Sequence, residues 1–249
     1  MAQLEQYYEE NERSYQRILN AERRSRESEM EMLESHINAH FLFNTLNAIN
    51  YQAIEAGNHD VSNSIKRLAN IMRYAFNSRA AQVRLYQEAA WVEQYLFLNK
   101  ERMGNRLTYD ISVDDDVEDW PFRKMMLQPF VENAVIHGIR ETENAVILLS
   151  ARRVDERHVK IVISDNGCGM DAQTLACVQA ILFRPGEHQT GGIGLRNVAE
   201  RIYAFFGSET VITASSMPGK GTSITLHLPW PAAAEGITDN HEEDEDEVY

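Results

Sequence analysis

The chain of 249 residues has only two cysteines, Cys168 and Cys177, too few for a disulfide framework. It has no apolar run approaching the roughly 18 residues that a bilayer crossing needs. Its first residues, MAQLEQYYEENERSYQR, hold no apolar segment of the signal-peptide kind. These absences exclude a disulfide-stapled secreted scaffold and create the expectation of a reducing, cytoplasmic setting. Residues 3 to 56 contain neither proline nor glycine, which favours one long helix there over a compact fold. Positive charge is in the minority: 24 Lys and Arg against 38 Asp and Glu give a net charge of -14, which weighs against a nucleic acid partner. The excess is uneven. Residues 235 to 249, EGITDNHEEDEDEVY, hold eight acids and no Lys or Arg, and a tail with so little to bury is expected to be disordered over 231–249.

What is present is ordinary globular composition, 43% hydrophobic and 25% charged, in a chain long enough for a core-forming domain plus a more extended element. Leu4, Tyr8, Asn11, Tyr15 and Ile18 recur at steps of four and three, which predicts a helical stalk or coiled-coil connector over 1–30. GNHD at 57–60 breaks the helix, and VSNSIKRLANIMRYAFNS resumes it with Ile65, Leu68, Ala69, Met72 and Phe76 on one side. A further helical stretch, LYQEAAWVEQYLFLNKERMG, ends at Gly104. A lone hairpin cannot bury both apolar faces, so residues 31–104 are expected to pair with a second copy as a four-helix bundle, making a homodimer. Beyond Gly104 the texture changes. RLTYDISV, AVILLSARRV, HVKIVISD, ETVITASS and TSITLHLP alternate as strands do, while 121–138 and 192–206 read as helices, so 105–230 is an α/β layered domain.

Three segments of that domain carry candidate chemistry. SDNGCGM at 164–170 sets Asp165 at a strand end beside Gly167 and Gly169, suited to a flat ligand held by one carboxylate. GGIGLRNVAERI at 191–202 puts Gly191, Gly192 and Gly194 at the start of a helix, where free amides and the helix dipole favour phosphate. Taken singly, each is better explained by a tight turn. LQPFVENAVIHG at 127–138 places Glu132, Asn133 and His137 on an otherwise apolar helix, with Asn133 and His137 four residues apart on one face. Such polar groups need partners or a cavity, and magnesium with bound phosphates would satisfy an Asn oxygen.

The ordered set ENAVIHG, DNGCGM, GGIGLRN and GKGTSITLHLP resembles the nucleotide-binding boxes of the ATPase fold shared by gyrase, the Hsp90 chaperone, histidine kinases and MutL. Preceded by HFLFNTLNAI, it resembles the LytS/YesM type of sensor histidine kinase, over roughly residues 31 to 230. The resemblance implies an α+β chain: a helical stalk and dimerisation hairpin followed by a two-layer α/β sandwich of the GHKL (Bergerat) ATPase type. It implies that Asp165 receives the adenine amino group with Thr222 assisting, and that Asn133 coordinates magnesium on the phosphates of ATP. It gives Gly167 and Gly169 the admission of the purine, and Gly192 and Gly194 the phosphates, with His137 and Leu195 also at the nucleotide. The segment 171–190 becomes a mobile ATP lid. The chain departs from that family in having His36 and Ala39 where Gln and Pro are usual.

His40 opens HFLFN. On a helix His36, His40, Asn44 and Asn47 form a polar strip, opposite Leu33, Ile37, Phe41, Leu42, Leu46 and Ile49, so His40 is expected to face outward. His36 and His40 have a zinc-compatible spacing, without an intervening glutamate or an evident third ligand. The resemblance makes His40 the phosphoacceptor and Glu132 a candidate base. It implies autophosphorylation followed by transfer to an aspartate on the receiver domain of a response regulator. A degenerate, nucleotide-binding dimeric scaffold is the alternative. A gyrase or chaperone type ATPase fits less well, because the helix bearing His40 has no role in one. A sensor region upstream of residue 1, through which alone the chain would meet a membrane, is expected.

Overall fold

The computed structural model describes residues 39–76, 82–139, 142–183 and 193–231. The stalk, His36, Gly191, Gly192, most of the expected lid's second half and the acidic tail lie outside the described residues.

By compactness the chain divides into two units between Lys66 and Arg67. The described part of the first unit is helix α1, Ala39–Glu55, a turn at Gly57 and Asn58, and the start of α2, His59–Phe76. Gly57 takes a left-handed φ of 69°, and the amides of Gly57 and Asn58 bond back to the carbonyls of Ile54 and Ala53, closing α1 where GNHD predicts a break. The Asn58 side chain then accepts the Val61 amide at 3.2 Å, near the start of α2. Ser62 and Asn50 join α2 to α1 through a 2.7 Å hydrogen bond. His40 is exposed, as are Asn44 and Asn47, and the Asn44 amide lies 3.4 Å from both ring nitrogens of His40.

The second unit is a five-stranded sheet with helices packed on one face. Its strands are β2 (Leu107–Val113), β4 (Ala145–Arg153), β5 (His158–Asp165), β6 (Val211–Met217) and β7 (Gly221–Pro229), in the order β2-β4-β5-β7-β6. Only β2 and β4 run parallel. Alternation decides the layers: Ile147, Leu149, Ile161, Ile163, Leu226 and Leu228 turn inward and are buried, while Ser150, Thr213 and Ser215 face out. The inward side chains join one core with those of α3 (Leu85–Met103), α4 (Gln128–Asn133), α5 (Ala172–Phe183) and α6 (Ile193–Phe206). Small strands β1 (Gln82–Arg84) and β3 (Pro121–Arg123) pair separately.

Three elements differ from expectation. The change of texture at Gly104 suggests a boundary there, but α3 packs with the sheet: Leu85, Val92 and Leu96 are completely buried in its core. The segment 121–138 is no single helix. Pro121–Arg123 pair as β3, a turn follows, and α4 begins only at Gln128, with Pro129 in its first turn, where proline's missing amide costs nothing. The expected lid begins instead as α5, started by Asp171, whose carboxylate accepts the Thr174 amide at 2.7 Å.

Candidate functional site

A cavity of about 580 Å³ opens between the helical layer and the sheet. Its lining includes Asn133, His137 and Gly138 at the end of α4, Asp165 at the end of β5, Gly169 and Met170 after it, Gly194 and Leu195 in the first turn of α6, and Thr222 on β7. Phe130, Ile163, Val178 and Ile224 make its walls apolar. Residues that the sequence scatters over 127–138, 164–170, 191–202 and 219–229 therefore meet in one place.

The far end of α4 has an unusual backbone. Ala134–Gly138 form a π turn, and the Ile139 amide reaches five residues back to Ala134 at 2.9 Å. Such turns insert one residue into a helix, and here both Asn133 and His137 reach the cavity lining. His137 is exposed and Asn133 half-buried. Glu132 is not among the lining residues; its carboxylate accepts the Gln128 amide group at 2.8 Å.

Among the described residues Asp165 is the one carboxylate in the lining. Burial raises its pKa, against the amides of Gly167 and Thr222, which hydrogen-bond it and favour the charged form. The Gly167 amide donates to Oδ1 at 2.8 Å. In register, Asp165 stands opposite Thr222 across β5 and β7. The Thr222 hydroxyl lies 3.0 Å from that of Ser216, which also accepts the Met170 amide and donates to the Gly221 carbonyl, both at 2.8 Å. A half-buried carboxylate and a fixed hydroxyl in an apolar slot suit a flat heterocycle with an exocyclic donor.

The glycines divide by role. A Cβ on Gly167 would fall 1.9 Å from the Gly138 carbonyl oxygen, and one on Gly169 1.9 Å from that of Met217. Both are glycines because backbone packs on backbone there, and Gly167, buried, does not line the cavity at all. The expected service of Gly167 to a purine is thus indirect, since it holds the loop that holds Asp165, whereas Gly169 also lines the cavity. Gly194 differs, since a Cβ there would have nothing within 4 Å, and it has a place in the lining. Gly138 and Gly221 also stand in the nucleotide-box motifs, but the resemblance gives them no role. A Cβ on Gly138 would meet the Asp165 carboxyl at 2.8 Å, and one on Gly221 the Asp165 carbonyl at 1.9 Å. Asn166 is a further addition. Its side chain accepts the Val146 amide at 2.7 Å and donates to the Asn144 carbonyl at 2.8 Å, pinning the loop to β4.

Residues 28–107 match the family model for histidine kinases, and residues 119–232 match that for histidine kinase-, DNA gyrase B- and HSP90-like ATPases. The chain belongs to the histidine kinase family. The sensor histidine kinase YesM of Bacillus subtilis is 31% identical over 207 residues, 82% of this chain and 34% of that protein. An uncharacterized sensor-like histidine kinase of Staphylococcus epidermidis is 30% identical over 222 residues, 89% of this chain and 43% of its own length. The chain thus spans well under half the length of these relatives. Among solved structures, the histidine kinase domain of the blue-light activated histidine kinase of Erythrobacter litoralis covers 77% of this chain and 94% of that domain, at 12% identity and a TM-score of 0.46. The family match implies ATP binding at 119–232. No described helix is long and apolar enough to cross a membrane.

Proposed function

We propose that this chain is the cytoplasmic core of a dimeric sensor histidine kinase, which phosphorylates His40 from ATP and passes the phosphoryl group to an aspartate of a response regulator receiver domain. The observation that carries the proposal is the convergence of Asn133, Asp165, Thr222 and the first turn of α6 on one cavity, in a chain that also presents an exposed histidine on α1.

In this reading Asp165 accepts the adenine amino group, beside the Thr222 hydroxyl. The N-terminal turn of α6, with Gly194 and Leu195, receives the phosphates, whose negative charge the helix dipole favours. Asn133 supplies one side-chain oxygen toward magnesium. The described residues hold no group of three or more His, Cys, Asp or Glu side chains able to bind a metal ion, so this donor set suits an ion held mainly by phosphates and water. Magnesium would neutralise phosphate charge as the β-γ bond breaks.

A ring nitrogen of His40 attacks the γ-phosphorus. The new N–P bond forms as the bridging P–O bond breaks and ADP leaves, and Glu132 is the candidate to take the imidazole proton. The receiver aspartate then takes the phosphoryl group from nitrogen. Residues 31–104 would supply the dimerisation and acceptor region, with α3 at its end packed into the core of the catalytic domain formed by 105–230. Phe41, Ile49, Tyr51 and Ile54 on α1 are exposed in the single chain, which supports burial against a second copy. Upstream, 1–30 would connect to a sensor region and, through it, to a membrane.

The test is incubation with labelled ATP and magnesium, comparing wild type with His40→Gln and Asn133→Ala. Acid-labile label lost in both variants supports the proposal. Ala39 and His36, in place of the usual Pro and Gln, favour a second reading as a nucleotide-binding scaffold. Tight ATP binding without label would establish that reading instead.

A further inference from the structure

Glu88 sits in the first turn of α3 and is only 2% exposed. Its Oε1 accepts the Met125 amide at 2.7 Å, and its Oε2 accepts those of Met126 and Leu127 at 3.0 Å each. The phenol of Tyr74, near the end of α2, donates to the same carboxylate. These three amides belong to the turn that leads into α4, whose N-cap residue, Leu127, has no capping side chain. A helix start leaves amides without partners, and here a carboxylate from another helix satisfies those just ahead of α4. The turn also contains Met125 at φ 62°, the one non-glycine residue with positive φ among the described residues. A left-handed methionine is held only where its surroundings over-determine it.

Other groups converge on the same turn. The Arg201 guanidinium, on α6, donates to the Lys124 carbonyl at 2.6 Å, and the Lys124 ammonium lies 5.0 Å from the centre of the Tyr74 ring. Burial lowers the pKa of Lys124 and of Arg201, and the Glu88 charge opposes that in both. The turn 124–127 is therefore tied to α2 through Tyr74, to α3 through Glu88 and to α6 through Arg201. It opens directly into α4. Both α4 and α6 line the cavity.

We propose that Glu88 is a positioning residue for the nucleotide cavity, and that the Tyr74 hydroxyl makes its placement of α4 depend on the last turns of α2. The proposal rests on the cavity's being the ATP site. Helix α2 begins in the unit that carries His40 and ends at Tyr74 and Phe76 in the unit that carries the cavity. A shift of its last turns would move a ligand of the Glu88 carboxylate, and nucleotide that draws α4 into one position would in turn hold Tyr74.

The experiment uses the full chain as wild type, Tyr74→Phe, Glu88→Gln and the double variant. Tyr74→Phe keeps the ring over which Lys124 lies and removes only the donor. Amide hydrogen exchange is measured across 124–138 and across β4 and β5, beside the Kd of a fluorescent ATP analogue with magnesium. Tyr74→Phe should speed exchange at Met125, Met126 and Leu127 on the order of tenfold, leave β4 and β5 unchanged, and weaken analogue binding severalfold. Glu88→Gln should do more, and adding Tyr74→Phe to it should do little further. Exchange that is unchanged in Tyr74→Phe, or raised equally over the sheet, overturns the joint. Faster exchange with unaltered Kd overturns its service to the cavity. A wild type that binds no analogue overturns the ATP reading and the nucleotide half of the proposal, while the exchange comparison still decides the joint.

Discussion

Gly138 and Asp165 are packed so closely that a methyl group on the first would stand 2.8 Å from both Cγ and Oδ1 of the second. The carboxylate keeps its place because the π turn ends in a residue without a side chain. Gly138→Ala should therefore push Asp165 aside and weaken ATP binding at least tenfold, at a stability cost of about 1–3 kcal/mol. Titration with a fluorescent nucleotide beside thermal melting separates the two effects; a normal Kd would mean that Asp165 does not set the affinity.

Asp165→Asn should abolish nucleotide binding and yet raise the melting temperature of the unliganded protein near pH 7. Burial raises the Asp165 pKa, so ionisation is harder in the folded chain than in the unfolded one. Stability from this group is complete below the unfolded carboxylate pKa, about 3.9, and is lost as pH rises through the raised folded value. The gain from Asp165→Asn should thus be largest at neutral pH and vanish toward pH 4. Melting curves across that range check the sign.

Glu132→Gln tests the base. The residue is outside the cavity lining, so the Kd for ATP should stay within about twofold of wild type. Phosphorylation of His40 should slow by roughly 100-fold if the side chain takes the proton. An unchanged rate would remove Glu132 from the reaction.

Gly167→Ala and Gly194→Ala should diverge although both glycines stand in nucleotide-box motifs. The first forces a methyl onto the Gly138 carbonyl and should cost about 3 kcal/mol. The second meets nothing and lies in a helix, where alanine is preferred by up to about 1 kcal/mol. Denaturant unfolding of the two variants decides it.

Much of this molecule is legible in its sequence because period and punctuation agree. β4, β5 and β7 alternate cleanly and are covered on one face, so their limits follow from the pattern to within a residue. The motif residues Asn133, Asp165, Gly194 and Thr222 can be grouped only by resemblance, since nothing local links them; the sheet register and the helix ends bring them together. Helix α5 is hidden because its few polar residues, Gln173, Thr174 and Gln179, mark no clear polar face, although Asp171 and Thr174 form a readable start signal. The division of 121–138 is signalled by Pro121 and Pro129, each of which opens an element. Glu88 has no signal at all. Three of its partners are backbone amides 37 to 39 residues away, which leave no mark on a sequence, and the fourth, Tyr74, lies on a different helix.

The π turn also fixes how many residues this part of the chain can have. An α-helix advances by about 100° per residue, so removing any one residue between Ala134 and His137 would relax the turn to ordinary helix and rotate everything beyond it by about that angle. Gly138 would no longer face Asp165, and the carbonyls that receive the Cys168 amide and thiol would leave their places. A substitution at the exposed Ile136 can be absorbed; a deletion cannot. Length variation among natural variants should fall in the exposed turn between β4 and β5, at 154–157, and not in this wall of the cavity.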